Sequence, residues 1–330
     1  MKGPVPSGER GAALLAVLLL VAVMGALAAA ALERLRLATS LAVNTAALDQ
    51  ARAFAIGVES LISLTIDDLT AASPERTTLA GGWNGNRRRL PMPGGGLAEA
   101  TVRDGGNCFN INSVAESRSP TMLTPRPAGI AQFQALMQVL EVPESTARPI
   151  AEAAGDWVDT DLEPGRAGAE DPQYARSEQG YRTGNTLFAG VSELRAVSGM
   201  TPEIYERVRP WLCALPVAEL SPINVNTLAV EQAPLLAMLA PQQISLEAAR
   251  RAIAERPQAG WNSVGDFYTS PALANVSLPL DVQFQPQLRT RWFTLELVVE
   301  LQGAELTERA LIDARIAPAR VAARQWGSED

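Results

Sequence analysis

The longest regular pattern in the chain lies at its start. A short polar leader, Met1 to Arg10, gives way to an uncharged run from Gly11 to Leu32. As a helix that run can span a bilayer, which takes about 20 apolar residues. The helical period then continues past the first charge. Leu37, Leu41, Leu48, Ala51, Phe54, Val58, Leu61, Ile62, Ile66 and Leu69 recur at helical spacing, and no proline interrupts them before Pro74. The pattern predicts one helix over 12–70, half of it suited to lipid and half amphipathic, like a shaft.

Beyond Ser73-Pro74 the signal changes. Gly81, Gly82, Gly85, Pro91, Pro93 and Gly94 to Gly96 mark a loop, and Arg87 to Arg89 read as its solvated basic face. Leu97–Arg103 and Cys108–Ile111 read as strands. From about 115 to 285 the chain reads as mostly helical. Helices are expected over 130–140, 146–156, 202–212, 228–239, 246–254 and 263–268, separated by prolines such as Pro143, Pro164, Pro216, Pro222, Pro241 and Pro257. The period then drops to two. Phe293, Leu295, Leu297, Val299 and Leu301 alternate with Trp292, Thr294, Glu296, Val298 and Glu300. Gln302-Gly303 forms a turn, and 306–315 alternates again, which is a β-hairpin. Residues 321–330 read as a frayed tail. Strands on both sides of a helical block predict an α+β fold: one antiparallel sheet with a large helical insertion.

Composition narrows the function. The 330 residues carry a net charge of −8, against the basic face that a nucleic-acid partner requires. There is no histidine, which removes Ser-His-Asp and Cys-His nucleophile pairs and HExxH zinc sites. The one lysine, Lys2, lies in the leader. A non-enzymatic protein is expected. Cys108 and Cys213 form no CxxC pair, so zinc and thioredoxin-type chemistry are disfavoured. They are either a disulfide, as an exported chain would form, or two buried thiols.

Two chemical features stand out. Glu152, Asp156, Asp159, Asp161, Glu163, Glu170 and Asp171 place seven carboxylates within twenty residues, with Arg166 the only basic residue among them. Hard oxygen ligands in a loop suit calcium, although the spacing is not that of an EF-hand and a solvated acidic loop has the same composition. Further on, Ile223-Asn224-Val225-Asn226-Thr227-Leu228, then 249–257 and Ser263-Val264-Gly265-Asp266-Phe267, resemble a helix-hairpin-helix module. Such modules grip phosphate with backbone N–H groups at a glycine hairpin. Here the hairpin reads Leu239-Ala240-Pro241-Gln242-Gln243, without glycine, so protein packing is expected instead, with Arg250, Arg251 and Arg256 as a solvated helix face.

At the N-terminus a secretory signal peptide competes with a plain anchor. A third reading is pilin-type processing, because Glu9-Arg10-Gly11-Ala12-Ala13-Leu14-Leu15 places a glycine between a charged leader and an apolar helix. The third reading is supported by residues spread over the chain: Arg10 to Leu15; Leu35-Arg36-Leu37-Ala38-Thr39; Ala46 to Arg52; Cys108-Phe109-Asn110-Ile111-Asn112-Ser113; Asp156-Trp157-Val158-Asp159; Gly168-Ala169-Glu170-Asp171; Ser192-Glu193-Leu194-Arg195; and Leu212-Cys213-Ala214-Leu215-Pro216. In this order they resemble the minor pseudopilin K family of the bacterial type II secretion system.

The resemblance implies a pilin-like helix and sheet interrupted by SAM-like helical domains. The expected boundaries are leader 1–11, helix 12–70, loop and first strands 71–114, first helical domain 115–219, second helical domain 220–287, hairpin 288–316 and tail 317–330. It implies calcium in the acidic region, with Asp156, Asp159, Asp161, Glu170 and Asp171 as candidate ligands. Export into an oxidising compartment favours the Cys108–Cys213 disulfide over free thiols. A prepilin peptidase would cut after Gly11, and Ala12 would be N-methylated. The expected partners are I- and J-like minor pseudopilins, the inner-membrane secretion platform and inner-membrane lipid, with no nucleic acid. The bulk of the chain would stand in the periplasm. Leu41, Leu48, Phe54, Val58 and Leu61 would form a packing seam or the protein's own core. Most pilins carry glutamate at the fifth mature position, whereas, counting from Ala12, this chain has Ala16 there and no acid before Glu33. A subunit without that carboxylate fits the end of a filament, capping the tip and initiating assembly. The alternative is an initiator of a type IV pilus or DNA-uptake filament.

Overall fold

The computed structural model describes residues 7–119, 122–176, 180–274, 276–280 and 282–327. Helix α1 spans Ser7–Ala72. Strands β1 (Arg87–Met92), β2 (Gly96–Asp104) and β3 (Phe109–Asn110) follow. A hairpin of β4 (Ala115–Ser119) and β5 (Met122–Pro125) leads into α2 (Pro127–Val139) and α3 (Glu144–Val158). Next come α4 (Asp171–Tyr174), α5 (Pro202–Val208), β6 (Leu212–Cys213) and β7 (Ile223–Asn224). The second half of the head holds α6 (Ala233–Ala237), α7 (Leu246–Ala254), α8 (Val264–Tyr268) and β8 (Pro286–Gln287). Strands β9 (Trp292–Leu301), β10 (Ala304–Asp313) and β11 (Arg320–Trp326) complete the fold.

At 66 residues, α1 is about 99 Å long. From Ala12 to Ala46 its side chains are exposed, and burial begins at Ala47. From there Ala47, Ala51, Ala55, Val58, Ile62 and Ile66 face inward at steps of three and four. The three alanines let the helix lie close on the sheet. Ala51 and Ala55 share a core with the inward residues of β9, Phe293, Leu295, Leu297 and Val299, all fully buried. Of the expected seam residues, Val58 belongs to this core. Leu48 and Phe54 are half-buried, and Leu41 and Leu61 are exposed.

The sheet order is β1-β2-β9-β10-β11, antiparallel throughout. Gln302 and Gly303 both take positive φ, 51° and 84°, as a two-residue hairpin turn requires. Two expectations are corrected here. Arg87 to Arg89 lie on an edge strand, not in a loop: Arg87 and Arg89 reach across to Glu99 at 3.0 and 2.7 Å, and Pro91 is tolerated because the edge needs no further donor. Residues 320–326 are the other edge strand rather than a frayed tail; 328–330 fall outside the described residues. What fixes β11 is Arg324, which donates to Glu59 of α1 at 2.6 and 2.7 Å and to Glu308 of β10 at 3.2 Å.

The insertion between β2 and β9 is a helical head with its own core, including stacked Phe109 and Phe133. It contains the same polar device twice. Asn110 and Asn224 each close a local turn by accepting from the N–H two residues on. Asn112 then brackets Phe188, accepting from its N–H at 2.7 Å and donating to its C=O at 3.0 Å. Asn226 brackets Trp261 in the same way, at 2.6 and 3.1 Å. Each bracketed aromatic precedes a turn capped by an acid, Glu193 in one copy and Asp266 in the other. A buried amide that satisfies both backbone groups of a distant residue fixes two segments at once.

The head is tied to the sheet by a polar junction. The Asp104 carboxylate accepts from Thr227, Thr290 and the Gly106 N–H. The Asn224 amide donates to Thr290 at 2.9 Å and to the Thr77 carbonyl at 3.0 Å. Three expectations for the head shift. The helix expected over 228–239 breaks into a short 3₁₀ turn and α6, with Pro234 in the first turn. The one expected over 202–212 stops at Val208, because Pro210 follows and 212–213 pair as a strand. Arg256 is not on a solvated face; it is half-buried and donates to the Leu228 carbonyl at 2.6 Å.

Candidate metal centre and the head disulfide

Helix α3 ends among carboxylates. Asp156 lies in its last turn and Asp159 is its C-cap, with the Asp159 N–H donating to Gly155 at 3.0 Å. A helix C-terminus carries partial negative charge, so two carboxylates there are unfavourable without a cation. Both are buried, Asp156 at 3% and Asp159 at 0% exposure. The chain loops out through Asp161 and returns with Glu170, also fully buried, at the N-cap of α4.

Ligand-capable oxygens of Asp159, Asp161 and Glu170 lie within 4.8 Å of one another. Both carboxylate oxygens of Asp159 and Oε1 of Glu170 are buried without a hydrogen-bond partner. Such orphaned charges are costly. Among the described residues no arginine pairs with Asp156, Asp159, Asp161 or Glu170; Arg148 pairs with Glu152 and Arg182 with Asp171. Burial, followed by repulsion from Asp161, Asp156 and Glu170, pushes Asp159 up to about 7. Burial likewise raises Asp156 to about 6, against the relief given by the Gly165 and Ala169 N–H groups. Glu170 rises to about 6 through burial and then the charge of Asp156. The donor set fits a hard divalent cation: all oxygen, convergent, and uncompensated.

The five candidate ligands therefore divide. Asp159, Asp161 and Glu170 converge. Asp156 accepts from the Gly165 N–H at 3.0 Å and shapes the loop. Gly168 is required beside it, since a Cβ there would lie 1.9 Å from Asp156 Oδ2. Asp171 accepts from the Thr183 N–H and hydroxyl, both at 3.0 Å, and holds the returning chain. Asn185 was missed by sequence reasoning. Its Oδ1 is buried and unpartnered, and its N–H donates to the Trp157 carbonyl at 3.0 Å, which brings a neutral oxygen to the same helix end. Its backbone takes a positive φ of 45°, which asparagine tolerates; the sequence itself offered no signal beyond the residue type.

Cys108 and Cys213 form a disulfide with Cα atoms 5.7 Å apart, between segments paired in parallel through β3 and β6. It closes a separation of 105 residues around the acidic loop. The processing residues Gly11 and Ala12 lie within the continuous α1, and 1–6 are outside the described residues.

A long apolar helix laid along an antiparallel sheet, with a helical head spliced into that sheet, defines a pilin-like subunit with an enlarged head. Two segments, 107–217 and 223–290, match the sequence models of "Type II secretion system (T2SS), protein K". The chain is 32% identical over 324 residues to type II secretion system protein K of Pectobacterium carotovorum subsp. carotovorum, covering 97% of both chains. It is 38% identical over 266 residues to the protein of that name from Klebsiella pneumoniae, covering 80% of each. Its fold is similar to a chain in the crystal structure of the GspK-GspI-GspJ complex from enterotoxigenic Escherichia coli, with a TM-score of 0.73 and 30% identity over 85% of this chain and 97% of that one. The chain belongs to the type II secretion system protein K family and is a minor pseudopilin. Residues 12–72 form a helix apolar and long enough to cross a membrane, with a mean hydropathy of 2.8 in its most apolar stretch, which fits a single-pass anchor.

Proposed function

We propose that this subunit caps the tip of the pseudopilus and initiates its assembly. The observation that carries the reading is the head inserted between β2 and β9, a bulk that a stack of identical subunits could not accommodate above each sheet. The N-terminal sequence agrees, since with Ala16 and no acid between Ala12 and Leu32 the processed helix offers no carboxylate to the amine of a subunit above it. A carboxylate inside a membrane is retained only where it is paired.

In this reading a prepilin peptidase removes the leader after Gly11 and Ala12 is methylated. The uncharged part of α1 sits in the inner membrane beside the secretion platform, and the sheet and head stand in the periplasm. Partners resembling GspI and GspJ pack along the shaft; the similar chain from enterotoxigenic Escherichia coli, crystallised in a GspK-GspI-GspJ complex, supports this.

Calcium has a structural role in this reading. Asp159, Asp161 and Glu170 would hold it, with Asp156 and Asp171 orienting the loop and Asn185 close by. When bound, calcium supplies positive charge to carboxylates that otherwise repel one another. The chain's own residues do the rest: α3 places two acids at its end, Gly168 lets the loop close on Asp156, and Thr183 anchors the return.

The test is the position of the subunit. Gold-labelled antibody against the head should mark one end of sheared pseudopili, about one copy per filament, and the N-terminal peptide from membranes should begin with methylated Ala12. Label along the filament length would overturn the tip reading, and a peptide starting near Ala31 would overturn the processing.

A further inference from the structure

The two asparagine brackets of the head are built alike, but only one of them reaches the acidic loop. Asn112 is fully buried in the turn that follows β3. Besides its two bonds to Phe188, its Nδ2 donates to the Leu215 carbonyl at 2.8 Å. The Leu215 N–H in turn donates to Asn110 Oδ1 at 3.0 Å. Both backbone groups of Leu215 are therefore held, two residues beyond Cys213, and Cys108 lies four residues before Asn112. The same amide thus grips the base of the head, which the disulfide closes, and the segment that returns from the acidic loop. The Phe188 ring is buried and stacks on Trp157, with centroids 6.3 Å apart and planes within 7°. Trp157 stands between Asp156 and Asp159 at the end of α3. The backbone leading into Phe188 carries Asn185, whose N–H donates to the Trp157 carbonyl at 3.0 Å. It also carries Thr183, whose hydroxyl reaches Asp171 at 3.0 Å and Glu170 at 3.4 Å.

We infer that Asn112 is a positioning residue for the cation site. It sets the 183–188 segment against the end of α3, and so fixes where Glu170 and the Asn185 oxygen stand relative to Asp159. The inference rests on the calcium reading and deepens it by naming a residue that governs the geometry of the site. Asp159 and Glu170 come from different segments, and what joins them is 183–188: Thr183 bonds Glu170, and Asn185 bonds Trp157. That segment has neither helix nor strand to hold it. Its place depends on side-chain anchors, and at Phe188 the Asn112 amide takes both backbone groups. Groups that orient metal ligands are worth roughly 10–100-fold in affinity. Because Leu215 shares the amide, the Cys108–Cys213 bridge supports the same site. The second bracket supplies the contrast. Asn226 holds Trp261 with the same two bonds and otherwise bonds only Asn224, among the described residues. No buried carboxylate without a partner lies in that half of the head, again among the described residues.

The test compares calcium affinity among variants that lose like bonds, by calorimetric titration of the detergent-solubilised full chain. Asn112→Ala should weaken calcium binding by about tenfold or more. Asn226→Ala removes the matching bracket and should also lower the melting temperature, yet leave calcium affinity within about twofold of wild type, as an independent site does. Phe188→Leu keeps both backbone bonds to Asn112 and removes only the ring on Trp157. It should weaken binding by less than Asn112→Ala does, and it decides the case if far-UV circular dichroism shows that Asn112→Ala does not fold. Replacing Cys108 and Cys213 with serine should weaken binding in the wild-type background and add little in Asn112→Ala, since both changes act through one amide. Wild-type affinity in Asn112→Ala or, should that variant not fold, in Phe188→Leu overturns the assignment. An equal loss in Asn226→Ala overturns it too, because the effect would then be one of general stability. So does a full further loss when the serines are added to Asn112→Ala. If the wild-type chain binds no calcium, the calcium reading itself fails and this inference falls with it.

Discussion

Removal of calcium should destabilise this protein in a pH-dependent way that one substitution abolishes. Folded Asp159, Asp156 and Glu170 hold protons up to about 7, 6 and 6, from ordinary values of 3.8, 3.8 and 4.5. Between those limits the metal-free folded chain binds more protons than the unfolded one. The stability these three groups contribute is therefore greatest in acid and falls as pH rises from about 4 through 7. For Asp159 alone, the rise from 3.8 to about 7 corresponds to at most ~4 kcal/mol. Solvent reaching the exposed Asp161 beside it screens this to about 2 kcal/mol. Calcium reverses the trend, since at a hundredfold excess over Kd it adds ~2.7 kcal/mol, or roughly 5–11 °C in Tm for a folded unit of this size. The assay is thermal unfolding of the detergent-solubilised full chain, with chelator and with calcium, at about pH 5 and about pH 7.5. Trp157, set edge-on to Tyr174 near the site, serves as the local probe. Chelated wild-type protein should melt lower at the higher pH, and calcium should raise it there most. Chelated Asp159→Asn should melt higher than chelated wild type at the higher pH, match it at the lower, and ignore calcium. No calcium response at the higher pH, or a full response in Asp159→Asn, would refute the reasoning.

Three further outcomes are expected. Gly168→Ala should abolish the calcium response while leaving the sheet intact, because its Cβ would lie 1.9 Å from Asp156 Oδ2; calorimetric titration with calcium and far-UV circular dichroism check the two halves. Replacing both Cys108 and Cys213 with serine should cost up to ~4.7 kcal/mol in the chain-entropy model, read as a lower denaturant midpoint that reductant does not lower further. Arg324→Ala should leave Glu59 and Glu308 buried and facing each other, a loss of about 3 kcal/mol. Hydrogen exchange should then rise across 320–326, and Glu59→Gln should restore part of the protection.

Much of the frame was legible because it rests on local periodicity. The 3.6-residue rhythm from Leu37 to Leu69 and the two-residue rhythm from Trp292 to Leu301 survive in any context that has one buried face, and both elements form where the rhythm places them. Flanking prolines marked α7 and α8, and the structure caps them with Ser245 and Ser263. Arg87–Arg89 and Arg320–Trp326 read as loop and tail because edge strands are exposed on most sides and carry little apolar signal. They are strands only because β2 and β10 offer them hydrogen bonds.

The acidic loop shows the same division. Its composition is visible in the sequence, where it fits a cation site and a solvated acidic face alike. Which oxygens stay uncompensated is a property of the folded loop. Asp156 and Asp171 are equal to Asp159 and Glu170 as residue types, yet Gly165 and Thr183 satisfy the first pair while both oxygens of Asp159 and Oε1 of Glu170 stay without a partner. The sequence by itself determined the membrane-competent helix, the strand–head–strand order and the chemistry of the loop, because hydrophobic period and charge are local quantities. Tertiary structure alone decided the sheet edges, the Glu59–Arg324–Glu308 latch and the repeated asparagine bracket. Each depends on residues brought together across long stretches of chain, where burial and hydrogen-bond geometry set the energy rather than residue identity.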